Sequence, residues 1–167
     1  FGPFPAGIRH ATYNDLSSVK ALITAKTAAI IIEPVQGEAG VVPAKQEFLL
    51  GVRDLCTQNG VLLIMDEVQS GVGRMGNLFG YMAFGIEPDI LTSAKGLGGG
   101  IPIGATLTKN DIASSMSVGS HGSTFGGNPM ACAVADKVIE IVSNPNFLQE
   151  VKEKETLLVN KLEGVSK

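Results

Sequence analysis

The chain has few cysteines: Cys56 and Cys132 are the only two in 167 residues. They are too few and too far apart for a disulfide framework or a zinc cluster, so a reducing compartment is expected and both thiols read as core residues. No metal site is expected. No apolar stretch approaches the roughly 18 uncharged residues that a membrane span requires. The N-terminus lacks the basic and apolar regions of a signal peptide, which makes the cytoplasm the expected location. Runs of like charge are absent and the formal net charge is only -3. That balance leaves no footprint for nucleic acid or for an anionic membrane surface, and it points to small-molecule partners. Internal repeats and low-complexity tracts are missing too. The chain opens on Phe1 without an initiator methionine and ends in polar, helix-patterned residues, so it is expected to be a segment of a longer protein.

What is present begins with a 44% share of apolar residues, enough for one compact core. Pro3, Pro5, Gly7 and the Tyr13-Asn14-Asp15 turn read as an extended lead-in, followed by a short helix from about Leu16 to Thr24. "AAIIIE" (28–33) and "VLLIMDE" (61–67) are continuous apolar runs of the kind found in strands buried on both faces. Between them, Lys45 to Asn59 carries Phe48, Leu49, Val52, Leu55 and Cys56 on one helical stripe, with Asn59-Gly60 as its stop. Further strands are expected at Asp89–Thr92 and Ile103–Leu107. Asn128-Pro129 opens a helix to about Val142, Asn144-Pro145 breaks it, and a last, heavily charged helix runs from about Phe147 to Leu162. Strand, helix, strand at this spacing predicts an α/β fold with a mainly parallel sheet and helices on both faces.

Ligands of open α/β sheets bind beyond the carboxyl ends of the strands, and Glu33, Asp66 and Lys95 each lie at or just past such an end. Asp66-Glu67 after an apolar strand has the form of the acid pair of a nucleotide hydrolase. That reading needs a G-x-x-x-x-G-K-[ST] loop, and the sequence contains none. Lys95 supports a different chemistry. It stands in "TSAKGLGGG" (92–100), where glycines let backbone approach a bulky ligand closely. An amine facing an acid on a neighbouring strand is what a Schiff-base cofactor uses: the amine for the aldehyde, the carboxylate for the pyridine nitrogen.

Four stretches, "EPVQGEAGV" (33–41), "DEVQSGVGR" (66–74), "SAKGLGGG" (93–100) and "HGSTFGGNP" (121–129), together resemble the class III aminotransferases. "IRHATYNDL", "EFLLGVRDLC" and "YMAFGIEPDILTSAKGLGGGIPIGA" look most like the acetylornithine and succinylornithine enzymes of that class. The resemblance implies pyridoxal 5'-phosphate as cofactor and a fold type I transferase, of which 1–143 would form part of the large cofactor-binding domain. Residues 144–167 would be a connector helix toward a small C-terminal domain. It implies Lys95 as the Schiff-base lysine, Asp66 as the acid that keeps the ring nitrogen protonated, Val68 on one ring face and Gln69 on the phenolic oxygen. Ser123 and Thr124 resemble a loop that reaches the cofactor phosphate from the neighbouring subunit, which implies a homodimer with shared active sites.

Glu38 is similar to the acid that pairs with an arginine reserved for the α-carboxylate of glutamate, an arginine expected beyond Lys167. The implied reaction moves the ω-amino group of an N-acylornithine to 2-oxoglutarate in arginine metabolism; ornithine and 4-aminobutyrate are alternative donors. Glu33 is expected to be structural, His121 a hydrogen-bonding brace and Arg74 an anchor for its glycine loop, while Met75 stands where the family generally has threonine. The phosphate-binding loop, the second ring-stacking aromatic and a carboxylate-binding arginine are expected in a preceding segment, so these 167 residues alone are expected to be inactive.

Overall fold

The computed structural model of the chain describes residues 2–165. Helix α1 (Leu16–Leu22) begins at Asp15, whose carboxylate accepts hydrogen bonds from the Ser17 and Ser18 amides and so satisfies two of the donors left free at a helix start. The chain then forms β1 (Ala29–Ile32) and a short antiparallel hairpin of β2 (Val35–Gln36) and β3 (Val42–Pro43). Helix α2 (Gln46–Asn59) buries Phe48, Leu49, Val52 and Cys56, the stripe expected from its spacing, and stops at Gly60 in the left-handed conformation, φ 64°.

Strands β4 (Leu62–Asp66), β5 (Ile90–Ser93) and β6 (Ala105–Thr108) complete a sheet of order β1-β4-β5-β6. The β1·β4 and β4·β5 pairings are parallel, so the sheet is mainly parallel, as expected. β6 runs antiparallel to β5. Its connection, Ala94 to Gly104, is short and its only regular element is a 3-10 turn (Lys95–Gly98), whereas a parallel return needs a longer crossover, usually a helix.

Leu63 and Met65 of β4, both at 0% exposure, face α2 together with Leu91, Ile30 and Ile32. Fully burying a side chain of this kind contributes about 1.5–3 kcal/mol. The alternate residues take the other face, where Ile31 is 64% exposed.

After a single turn, α3 (Asn110–Ala113), come α4 (Pro129–Val142) and α5 (Pro145–Glu163). Asn128 and Asn144 cap them, each followed by proline in the first turn. Asn144-Pro145, expected only as a break, is therefore also the start signal of α5, which begins two residues before the expected Phe147. Residues 166 and 167 of the expected connector lie outside the described residues. α4 packs on the glycine turn after β5, where a side chain on Gly99 would come within 3.1 Å of Val138. Among the described residues no helix is long and apolar enough to cross a membrane.

Candidate functional site

The acids at the end of β4 part ways. Asp66 is half-buried and its Oδ1 accepts the Val68 amide at 3.0 Å, in a short turn at the strand end. Glu67, at 0% exposure, turns the other way. Its carboxylate accepts hydrogen bonds from Ser70 Oγ (2.7 Å), the Gly80 amide (2.8 Å) and the Tyr81 amide (2.6 Å). Burial pushes the Glu67 carboxyl up, outweighing these three donors, and the Asp66 charge adds to the rise. Glu67 is thus a brace that fastens the loop after β4 to the 3-10 turn Gly80–Phe84. The nucleotide-hydrolase reading loses its second acid, because that carboxylate is committed to the interior.

Lys95 opens the turn just beyond β5 and is exposed. The register pairs Asp66 with Thr92, and the Glu67 amide donates to the Thr92 carbonyl at 2.9 Å. Asp66 and Lys95 therefore emerge from neighbouring parallel strands at the same edge of the sheet. The two loops also touch: a Cβ on Gly96 would lie 3.5 Å from Val72 Cβ. Lys95 has φ 42°, Val72 52° and, in the β2–β3 hairpin, Val41 57°. Left-handed backbone at non-glycine residues costs on the order of 1–3 kcal/mol each, and such strain gathers at functional rims.

The hairpin brings a third group. Gln69 is half-buried and Glu38 exposed, and Gln69 Nε2 donates to Glu38 Oε1 at 3.5 Å, a long contact. Gly37 makes room for it, since a Cβ there would sit 2.3 Å from the Gln69 amide nitrogen. Glu33 accepts the Gly37 amide at 3.2 Å, the structural part expected of it. Tyr13 donates to the Glu33 carbonyl at 2.8 Å. Burial and then the Glu33 charge push its phenol up to about 12, so it stays a donor.

Asp66, Val68, Gln69, Glu38 and Lys95 thus belong to one rim. Ser123 and Thr124 lie in an exposed stretch whose bonds are local: Ser123 Oγ accepts the Gly126 amide at 3.0 Å, and nothing bonds the stretch to the rim among the described residues. His121 and Arg74 are exposed and their side chains make no hydrogen bond to a described residue, so neither the expected brace nor the expected anchor forms there. Sequence reasoning missed Gly37, whose signal was a glycine beside a motif acid, and Thr92, one of two adjacent hydroxyl residues that close the strand begun by Ile90 and Leu91.

A cleft of about 620 Å³ at the opposite ends of β4 and β5 is lined by Arg53, Cys56, Val61, Asp89 and Lys109 among others. Its charges answer one another, with Arg53 Nη1 2.8 Å from Asp89 Oδ2, and it lies away from the strand ends where such sheets bind ligands.

The chain matches the family description Aminotransferase class-III over residues 1–167. It is 54% identical over 166 residues to a succinylornithine transaminase of Yersinia pseudotuberculosis, covering 99% of this chain and 40% of that protein. The chain thus spans about 40% of the length of the curated relatives it matches. Among solved structures, an acetylornithine aminotransferase from Elizabethkingia anophelis superposes with a TM-score of 0.91 at 38% identity, over 97% of this chain and 41% of that one. An ornithine aminotransferase from Toxoplasma gondii, described with partial occupancy of PLP at its active site, gives 0.83 at 39% identity over 89% of this chain and 35% of that one. The carboxylate and the amine at adjoining strand ends, the glycine turn that follows the lysine and the match along the whole chain agree: this chain belongs to the class III aminotransferases.

Proposed function

We propose that the whole protein transfers the ω-amino group of an N-acylornithine, acetylated or succinylated, to 2-oxoglutarate, giving the semialdehyde and glutamate. Membership of the class III aminotransferases implies pyridoxal phosphate as cofactor. The residues present fit it: Thr92 Oγ1, in register with Asp66, is buried without a hydrogen-bond partner, and Lys95 offers an exposed amine just beyond β5. When bound, pyridoxal phosphate supplies an aldehyde for amines and a ring that withdraws electrons.

The rest is the work of this chain's side chains. Lys95 Nζ would hold the group by its aldehyde carbon and, once displaced by the donor amine, would take the proton from the donor's amine-bearing carbon and deliver it to the cofactor's former aldehyde carbon, so that the nitrogen stays behind when the semialdehyde leaves. Asp66 would keep a proton on the ring nitrogen, in an ion pair that its partial burial would strengthen. Val68 would pack on a ring face and Gln69 would donate to the phenolic oxygen. Glu38 gates the substrate carboxylate pocket. Ser123 and Thr124 serve the phosphate of a neighbouring copy in a homodimer. Helix α5 leads toward a smaller C-terminal domain, and the enzyme works in the cytoplasm, in keeping with its free cysteines. Ornithine as donor is the second reading, favoured by the likeness to the Toxoplasma enzyme.

The observation that carries the proposal is the emergence of Asp66 and Lys95 from adjacent parallel strands at one sheet edge. To test it, the whole protein is loaded with pyridoxal phosphate, reduced with borohydride and digested. A pyridoxyl mass on the peptide containing Lys95, absent in Lys95→Ala, is expected. A tag that stays in the variant sinks the lysine assignment, and steady-state rates with the three donors decide among substrates.

A further inference from the structure

Thr92 and Ser93 follow one another on β5, and Thr92 Oγ1 and Ser93 Oγ are both buried with no hydrogen-bond partner among the described residues. A buried hydroxyl without a partner destabilises the fold, and each such atom calls for an explanation. The two face opposite ways. Thr92 is the register partner of Asp66, so the two side chains leave the sheet side by side on one face. Ser93, 2% exposed, shares the other face with Leu91. A buried strand position is filled at lower desolvation cost by valine or isoleucine, which have the same branched shape. The Thr92 hydroxyl therefore answers to something on the Asp66 side. Asp66 has an opening for it: Oδ1 takes the Val68 amide, and no described residue donates to Oδ2.

We propose that Thr92 is a positioning residue for Asp66, its hydroxyl donating to the second carboxylate oxygen once pyridoxal phosphate is bound and fixing the carboxylate toward the ring nitrogen. The inference rests on the cofactor reading above. Without the cofactor the hydroxyl is a liability; with it, the hydroxyl becomes a charge-assisted donor. Those two states give the proposal a signature that a structural threonine lacks.

The test uses the whole protein, stripped of cofactor and then titrated with pyridoxal phosphate, in wild type, Thr92→Val, Thr92→Ser and Ser93→Ala. Thr92→Val is expected to melt at the same temperature as stripped wild type or higher, while its Kd for the cofactor rises about tenfold, the loss of one hydrogen bond to a charged group. Thr92→Ser should restore wild-type affinity, and Ser93→Ala should keep it. Wild-type affinity in Thr92→Val overturns the proposal. So does a stripped melting temperature that falls along with affinity, or an equal loss in Ser93→Ala. Should Thr92→Val fail to fold, Thr92→Ala, which also lacks the hydroxyl, must show the same loss of affinity. A wild type that takes up no pyridoxal phosphate overturns the cofactor reading itself, an outcome separate from any difference among variants.

Discussion

Glu67 and Asp66 are neighbours that turn opposite ways, and only the placement of Asp66 was legible in the sequence. That placement could be read because a carboxylate closes an apolar run, with a lysine in a glycine turn further on, the pair that the proposed cofactor site uses. Glu67 could not, because two of its donors, Gly80 and Tyr81, lie 13 and 14 residues away and meet it only in the folded chain. Glu67→Ala removes a buried acceptor from two amides and a hydroxyl, and is expected to destabilise the whole protein by about 3 kcal/mol or more in denaturant titrations. The pH dependence has a definite sign. The folded protein raises the Glu67 carboxyl above its ordinary 4.5, so its contribution is fully present below that value and is lost as pH rises through the folded pKa. The gap between wild type and Glu67→Ala should therefore widen toward acid. A gap that narrowed there would show that the donors, not burial, dominate this carboxyl.

At the scale of elements, Asp89 pins α2 to the start of β5 and works with the opposite sign. Its Oδ2 accepts from Arg53 of α2 and from the Leu63 amide of β4, each at 2.8 Å. Partial burial pushes the Asp89 carboxyl up, but the Leu63 amide, the Arg53 hydrogen bond and charge, and the Lys109 charge together outweigh it, holding the group below its ordinary 3.8. The stabilisation is present above that value and is lost as pH falls through the folded pKa. Asp89→Asn is expected to cost about 1–3 kcal/mol near neutral pH and to converge on wild type in thermal melts as the pH drops below about 4. A constant difference down to strongly acid pH would remove the ion pair from the account.

Elements with a periodic apolar stripe or a capping signal, α2 and α4, were readable to within a residue or so. The β2–β3 hairpin and the 3-10 turns were not, because strands of two residues and single turns carry no period to detect. The antiparallel hand of β6 was hidden for another reason: it follows from the length and helix content of its connection, not from the strand's own residues.

The chain spans about 40% of the length of the curated relatives it matches, and the stretch between α3 and α4 bears on the proposed dimer. It carries Met116, Val118 and Phe125 at 57%, 105% and 81% exposure, beside Ser123 and Thr124. Its hydrogen bonds, such as Ser120 to Ser117 and Asn128 to Phe125, close tight local turns. Apolar side chains held out in this way are what an interface covers, and the proposed homodimer with shared phosphate contacts would cover them. The resemblance singled out Ser123 and Thr124, whose bonds among the described residues are local; in the proposed homodimer their ligand would belong to the neighbouring copy. Removing the apolar contact should thus disturb assembly and cofactor binding together. Phe125→Asp is expected to shift the whole protein from dimer toward monomer in light scattering and to weaken pyridoxal phosphate binding at least tenfold, on the order of 1.4 kcal/mol or more, with little change in the far-ultraviolet circular dichroism. A variant that remains dimeric and binds the cofactor normally would show that this stretch faces solvent. One that becomes monomeric yet keeps full affinity would show that each copy holds its phosphate unaided.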